Sequence, residues 1–267
     1  MIDPKVFNEL MNRGVITNVG LKPENYKDMD ELQRHGLATG VGDDVVYEVV
    51  VDEIINASEM LNKFLADVAA GGTVVLPMSF TLSAPIAIEK DVTIDLNGYS
   101  LTAGVWDEDG DPNSYVFWVK SGTLTLNGEG TVIASDATYS MAVWANGGNV
   151  VINDGVYTNG GDSCDLIYAS KKGTITINGG DFRAAGPASG KEPGTKNPYS
   201  AINVKDRDRG TCTVLVKGGR YLGFDPANNL SEGEGTSFVV EGFESVADGK
   251  YFIVREANDI VVDDDAK

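Results

Sequence analysis

The chain has one histidine, His35, and two cysteines, Cys164 and Cys212. Ser/His/Asp and Cys/His catalysis both need a histidine beside a nucleophile, and His35 stands outside the repeats described below, where it reads as an exposed helix-end residue. The cysteines occupy different columns of those repeats, so no disulfide is expected and both thiols read as reduced. Basic residues are scarce too: 21 Lys and Arg stand against 40 Asp and Glu, a formal net charge of −19. Nucleic acid and anionic membranes are recognised through basic patches, so neither is an expected partner. No apolar run approaches the ~20 residues of a membrane span, and Met1–Pro4 carries no charged-then-apolar leader. No membrane insertion, and synthesis in the cytoplasm, are the expectations. No phosphate loop or metal-thiolate motif is present, so no cofactor and no metal are expected.

What is abundant is repetition. Thr93–Gly98, Thr123–Gly128, Asn149–Gly155, Thr174–Gly180 and Thr213–Gly219 each read as alternating polar and apolar residues, then Asn (Lys in the last) and a glycine turn. The aligned Asn97, Asn127, Asn153, Asn178 and Lys217 lie 30, 26, 25 and 39 residues apart. Period-two alternation means strand, and recurrence at this interval without helical pattern between copies means stacked coils of a parallel β-helix. The strand buries Ile94/Leu96, Leu124/Leu126, Val150/Ile152, Ile175/Ile177 and Val214/Val216, and turns threonine-rich positions to water. The asparagine row reads as a structural ladder at turns.

Each coil divides into three strands. Four residues after the Asn/Lys column come Leu101, Thr131, Tyr157, Phe182 and Tyr221, with Val132 able to replace Thr131 by a one-residue shift. The remaining strand, Tyr115–Val119, Met141–Ala145 and Leu166–Ala169, is apolar at both parities. A fourth copy, Ala201–Lys205, alternates and puts Ile202 and Val204 inside. Carried by register, this places Trp118 and Trp144 inside and Tyr115, Phe117, Met141, Val143, Leu166 and Tyr168 outside; an exposed Trp118–Trp144 pair that stacks on sugar is the rival reading. A sheet apolar on both faces is normally covered on both, so these six residues are the expected subunit or partner interface.

Two insertions lengthen the repeat, the acidic Trp106–Asn113 and the Pro/Gly-rich Gly186–Pro198. The first has oxygen ligands at alternate positions, as calcium sites do, but lacks the EF-hand glycine and distant glutamate; it reads as an acidic surface loop. Asn56-Ala57-Ser58-Glu59 suggests a capping box, followed by Leu61, Phe64, Leu65 and Val68 at helical spacing and a stop at Gly71. This helix would cover the open end of the coils. The expected domains are 1–53, a small α-containing attachment or oligomerisation region; 54–255, the β-helix; and 256–267, an acidic tail.

The run Phe64–Pro77 resembles the opening of pectate-lyase-like right-handed β-helices of phage tailspikes and polysaccharide-degrading enzymes. Ile175–Phe182, Gly218–Tyr221 with Phe224–Pro226, and Val240–Phe243 before Asp248–Tyr251 resemble glycine-rich β-helical repeats in surface proteins of gut bacteria and their phages. The resemblance spans about residues 54–255. It implies a mainly β fold, a right-handed single-stranded parallel β-helix of about six coils with a helical N-terminal cap. The family's Asp-Asp and Gly-His-Gly signatures are absent, and Asp95 stands alone in its column, so no catalytic residues are assigned. Lys205–Arg209 reads as a solvated charge run.

Together these features lead to the expectation of a non-enzymatic virion structural protein: a head fibre, capsid decoration protein or short spike, made in the host cytoplasm and displayed on the virion surface. A homotrimer, attachment to a phage capsid or tail protein through residues 1–53, and contact with host surface glycan are the partners this reading implies. A polysaccharide depolymerase and a bacterial surface adhesin are the rival readings.

Overall fold

The computed structural model describes residues 57–108, 111–160, 165–184, 200–229, 231–232 and 235–257. His35, Cys164, the 1–53 region, the Gly186–Pro198 insertion and residues 258–267 of the tail lie outside the described residues; Cys212 is a free, half-buried thiol.

The chain is mainly β. It visits three sheets in turn, then starts again one strand higher. The first sheet holds Thr73–Val75, Val92–Asp95, Thr123–Asn127, Asn149–Ile152, Thr174–Ile177 and Thr213–Val216. The second holds Phe80–Leu82, Ser100–Ala103, Thr131–Ile133, Val156–Thr158, Asp181–Arg183 and Gly219–Leu222. The third holds Ile86–Ile88, Asp111–Val119, Tyr139–Asn146, Asp165–Ser170 and Ser200–Val204. Neighbours along these three rows pair in parallel, an arrangement consistent with a β-helix.

The inward faces stack like on like. Ile94, Leu124, Leu126, Ile152, Ile175, Ile177 and Val216 are fully buried in the first sheet, as alternation dictates. In the second, Leu101, Val132, Tyr157, Phe182 and Tyr221 form one buried column, with Val132 rather than Thr131 paired to Leu101 and Tyr157. The asparagines form a ladder: Asn153 Nδ2 donates to Asn127 Oδ1 and Asn178 Nδ2 to Asn153 Oδ1, each at 2.7 Å. Of the four, Asn97 is the one in the left-handed region, at φ 50°.

A helix, Ala57–Asp67, packs at the first-coil end, with Leu61 and Leu65 in the common core. Its last carbonyls have no intrahelical partner, and Lys90 Nζ serves Val68 O at 2.6 Å and Ala66 O at 3.2 Å. At the other end every sheet finds a partner. The antiparallel pair Phe243–Asp248 and Tyr251–Glu256 adds to Gly219–Leu222. Val216 exchanges backbone hydrogen bonds with Phe238 and Val240. The third sheet's last strand is met by side chains: Ser231 Oγ donates to Ile202 O, and Glu232 Oε1 accepts from Val204 N at 2.9 Å.

Glu232 also holds Arg209, Oε2 to Nε 2.8 Å, with its own side chain only 7 % exposed. Glu232→Ala is therefore expected to cost about 1–3 kcal/mol, chiefly because it leaves a strand-edge N–H unanswered; Arg209 keeps Asp206 and the Ser231 carbonyl. Chemical denaturation measures it. Glu232→Gln keeps an acceptor and should lose less.

The third sheet departs from the expected register. Phe117 and Val143 stand in one register column with Ile86, Ile167 and Ile202 and lie fully buried in the core, while Trp118, Trp144, Tyr168 and Asn203 form the adjacent outward column. Leu166 is also core. The expected outward placement of Phe117, Val143 and Leu166 is thus corrected, as is the inward placement of Trp118 and Trp144. The turn Ser170–Gly173 explains it. It carries one residue more than Lys120–Gly122 or Asn146–Gly148, accommodated by Lys171 and Lys172 at φ 51° and 69°. Counting back from the asparagine column passes that extra residue into strand parity, and a one-residue slip exchanges the faces.

A second irregularity repeats in four of the third sheet's five strands. Val116 and Phe117, Ala142 and Val143, Leu166 and Ile167, and Ala201 and Ile202 are all fully buried core pairs. Two successive residues point inward, so the strand bends and alternation breaks at the same height in these four strands, while Ile86–Ile88 alternates.

Candidate functional site

The outward face of the third sheet is the candidate site. Ala87, Trp118, Trp144, Tyr168 and Asn203 stand in one register column across five successive strands. Trp118 and Trp144 stack in parallel, centroids 5.6 Å apart and 10° between planes; Tyr168 continues the file at 6.4 Å and 45°. Tyr115, on the far side of the bend, meets Trp144 edge-on at 5.4 Å and Trp118 at 6.2 Å.

The acidic insertion supplies one more ring. Trp106–Glu108 folds back antiparallel on Asp111–Asn113, which brings Trp106 edge-on to Tyr115 at 5.1 Å. Tyr115 is outward as expected, but only 2 % exposed beneath these rings, and Met141, its register partner, is buried as well. Of the six expected interface residues, Tyr168 alone is both outward and half-buried. Trp106, Trp118 and Trp144 join it there, and these the sequence reading had not placed at the surface.

The rings spend their faces on one another. Lys120 Nζ lies 4.2 Å from the Trp118 centroid and is anchored by Glu89 at 3.1 Å. The file therefore presents edges rather than flat faces, which does not suit stacking of sugar rings on Trp118 and Trp144. Trp144 Nε1 donates to Ser170 Oγ at 2.8 Å, and Ser170 Oγ to Asn146 Oδ1 at 3.0 Å. By contrast Trp106 Nε1, Trp118 Nε1 and Asn203 Oδ1 are buried atoms without a hydrogen-bond partner. All three atoms lie beneath the outward face rather than on it.

No family model, curated protein or solved structure matches this chain.

The file ends in carboxylates. Asp165 opens the strand that carries Tyr168, and the turn Asp206–Asp208 follows the strand that carries Asn203. Part of Asp165 stays open to water, yet its carboxyl is enclosed; burial pushes it up to about 6, against a bond from Asn203 and with help from Glu232 and Asp206. Burial, with Asp165, Asp206 and Asp208 outweighing Arg207, likewise pushes the Tyr168 hydroxyl up. Lys205–Arg209 is more than a solvated charge run: Asp206 is exposed, but Arg209 ties the turn to Glu232. Neither Asp165 nor Glu232 has a sequence signature, because each acquires its role only when coils stack.

A carboxyl raised in the folded state binds protons more tightly there than in the unfolded chain. Its share of stability is thus present at low pH and lost as pH rises from about 4 to about 6. Asp165→Asn is expected to stabilise the protein by about 1–3 kcal/mol above pH 6.5 and by little at pH 3.5. Denaturation at the two pH values measures this.

Proposed function

We propose that this chain is a structural component of a phage virion, a head fibre, capsid decoration protein or short spike, that projects a β-helix and joins the particle through a protein contact. On this reading the fold is a right-handed single-stranded parallel β-helix of about six coils, capped by the 57–67 helix and attached through residues 1–53. The observation that carries the contact is the outward aromatic file. The first sheet turns threonines to water, whereas the third concentrates all three tryptophans of the chain on its outer side. A rod needs no such file to stay folded, but a rod that adheres does.

Mass spectrometry of purified virions from a lysed culture tests the reading. The chain should appear at a fixed ratio to the major capsid protein. Its absence from particles, or its recovery only in free form, overturns the assignment.

A second reading, glycan cleavage, has one observation in its favour. Asp165 is a carboxyl with a raised affinity for its proton within electrostatic reach of Glu232, which Arg209 holds; glycosidases pair a protonated and an ionised carboxyl in this way. Release of oligosaccharides from capsular polysaccharide by the full chain, abolished in Asp165→Asn, would establish it over the first.

A further inference from the structure

We infer that Asn127 is a site of spontaneous chemical modification, where the backbone nitrogen of Gly128 displaces the side-chain ammonia and the ladder asparagine ages to aspartate and isoaspartate. This chemistry is independent of what the chain joins.

Asparagine is thermolabile, most of all before glycine, whose backbone nitrogen no side chain shields. The chain holds five such pairs, at Asn97, Asn127, Asn146, Asn159 and Asn178. At two of them stacking fixes both members of the pair. Asn127 and Asn178 belong to the ladder, and the glycines after them cannot be replaced. A Cβ on Gly128 would run into the Asp95 carboxylate, and one on Gly179 into the Asn153 carbonyl.

Hydrogen bonding then separates the five. Attack needs a glycine N–H that is not tied to an acceptor and a side-chain amide that is free to leave. Asn146 and Asn159 are buried; Gly147 N donates to Ser170 O at 3.1 Å, and Asn159 Nδ2 to Ser140 O at 2.8 Å. Asn97 is exposed, but its Nδ2 donates to Leu76 O at 3.0 Å and Gly98 N to Glu129 O at 2.6 Å. At Asn178 the following N–H is untied among the described residues, yet Nδ2 is held by Asn153 Oδ1 at 2.7 Å. Asn127 meets both conditions: among the described residues neither Gly128 N nor Asn127 Nδ2 has a partner. Its Oδ1 accepts from Asn153 Nδ2 at 2.7 Å. That bond polarises Cγ and stabilises the charge that develops on the oxygen during attack.

Gly128 N gives up its proton as it bonds to Cγ; the Cγ–Nδ2 bond breaks, and ammonia leaves with that proton. Water then opens the five-membered imide at one carbonyl or the other, to aspartate or to isoaspartate, with no change of oxidation state. A carboxylate at position 127 keeps the bond from Asn153 but stands opposite Asp95 in register, which sets like charges on paired strands. Isoaspartate adds a carbon to the backbone and lengthens the turn.

Incubation of the full chain in mildly alkaline buffer tests this, with digestion and tandem mass spectrometry reading the gain of one mass unit at each site. In the folded chain Asn127 should convert about tenfold faster than Asn97, Asn146 and Asn159, and ahead of Asn178, because it alone has nucleophile and leaving group both free. In urea all five should convert at comparable rates, since each precedes glycine. Conversion of any of the other four as fast as Asn127 in the folded chain overturns the inference. So does an Asn127 that stays intact in the folded chain while the unfolded chain converts. An order that persists in urea would come from local sequence and not from the coils, and overturns it too.

Discussion

Phe117→Lys is expected to abolish folding of the three-sheet core, whereas Tyr168→Lys is expected to leave it intact. The two residues lie in the same sheet, and from sequence both were expected to face outward. Phe117 is fully buried between Ile86 and Val143 in the core column. A lysine there strands an ammonium with no partner, a cost well above the 4–5 kcal/mol that already counts as exceptional for one substitution, against total stabilities of about 5–15 kcal/mol. Tyr168 is half-buried on the outer face with carboxylates nearby, and a lysine stem can lie along the file with its ammonium in water. Far-UV circular dichroism and thermal melting of the two variants decide it. The reverse outcome would show the facing of the third sheet to be wrong.

Phe182→Ala is expected to cost about 3–5 kcal/mol and to lower the melting temperature by roughly 10 °C. The ring is fully buried and sandwiched between Tyr157 at 5.1 Å and 12° and Tyr221 at 4.8 Å and 8°. Both neighbours are pinned by their hydroxyls, Tyr157 to Asp154 O and Tyr221 to Gly218 O, so they cannot close the gap by sliding together. The cavity should persist, which puts the cost at the upper end of the range. Phe182→Leu fills part of it and should lose about half as much. A cost below 1 kcal/mol for the alanine variant would mean that the column collapses freely.

The first two sheets were legible in the sequence, and the third was not. In the first, one parity is apolar and the other rich in threonine, so facing follows from alternation alone. In the second, even the shift to Val132 could be read, because Thr131 fits a core column poorly. The third sheet is apolar at both parities, so facing had to be borrowed from distant residues. The borrowed register crossed a turn of unequal length at Lys171–Lys172 and a bend where two neighbours point inward. Neither feature announces itself in composition. The candidate site shared that fate: the sheet was identified, but Trp118 and Trp144 exchanged places with Phe117 and Val143. Trp106 could have been suspected, since a tryptophan opening an acidic insertion is out of keeping with a solvated loop. Glu232 could not, as it contacts Val204 from 28 residues away.

The repeated bend restricts how such a chain can change its length. Removing or adding one residue within Val116–Phe117, or at the same height in another coil, would set that coil's inward pair against its neighbours' outward residues above and below. Shortening by a single residue is therefore penalised against both neighbouring strands at once. Gain or loss of a whole circuit, about 25 residues, leaves every ladder in phase. At the corners between sheets the rule relaxes, and Trp106–Glu108, arriving from the second sheet, folds back on Asp111–Asn113 without shifting the column. Variants of this chain that differ in length should differ by full circuits or at these corners, and their aromatic file should grow or shrink by one ring at a time.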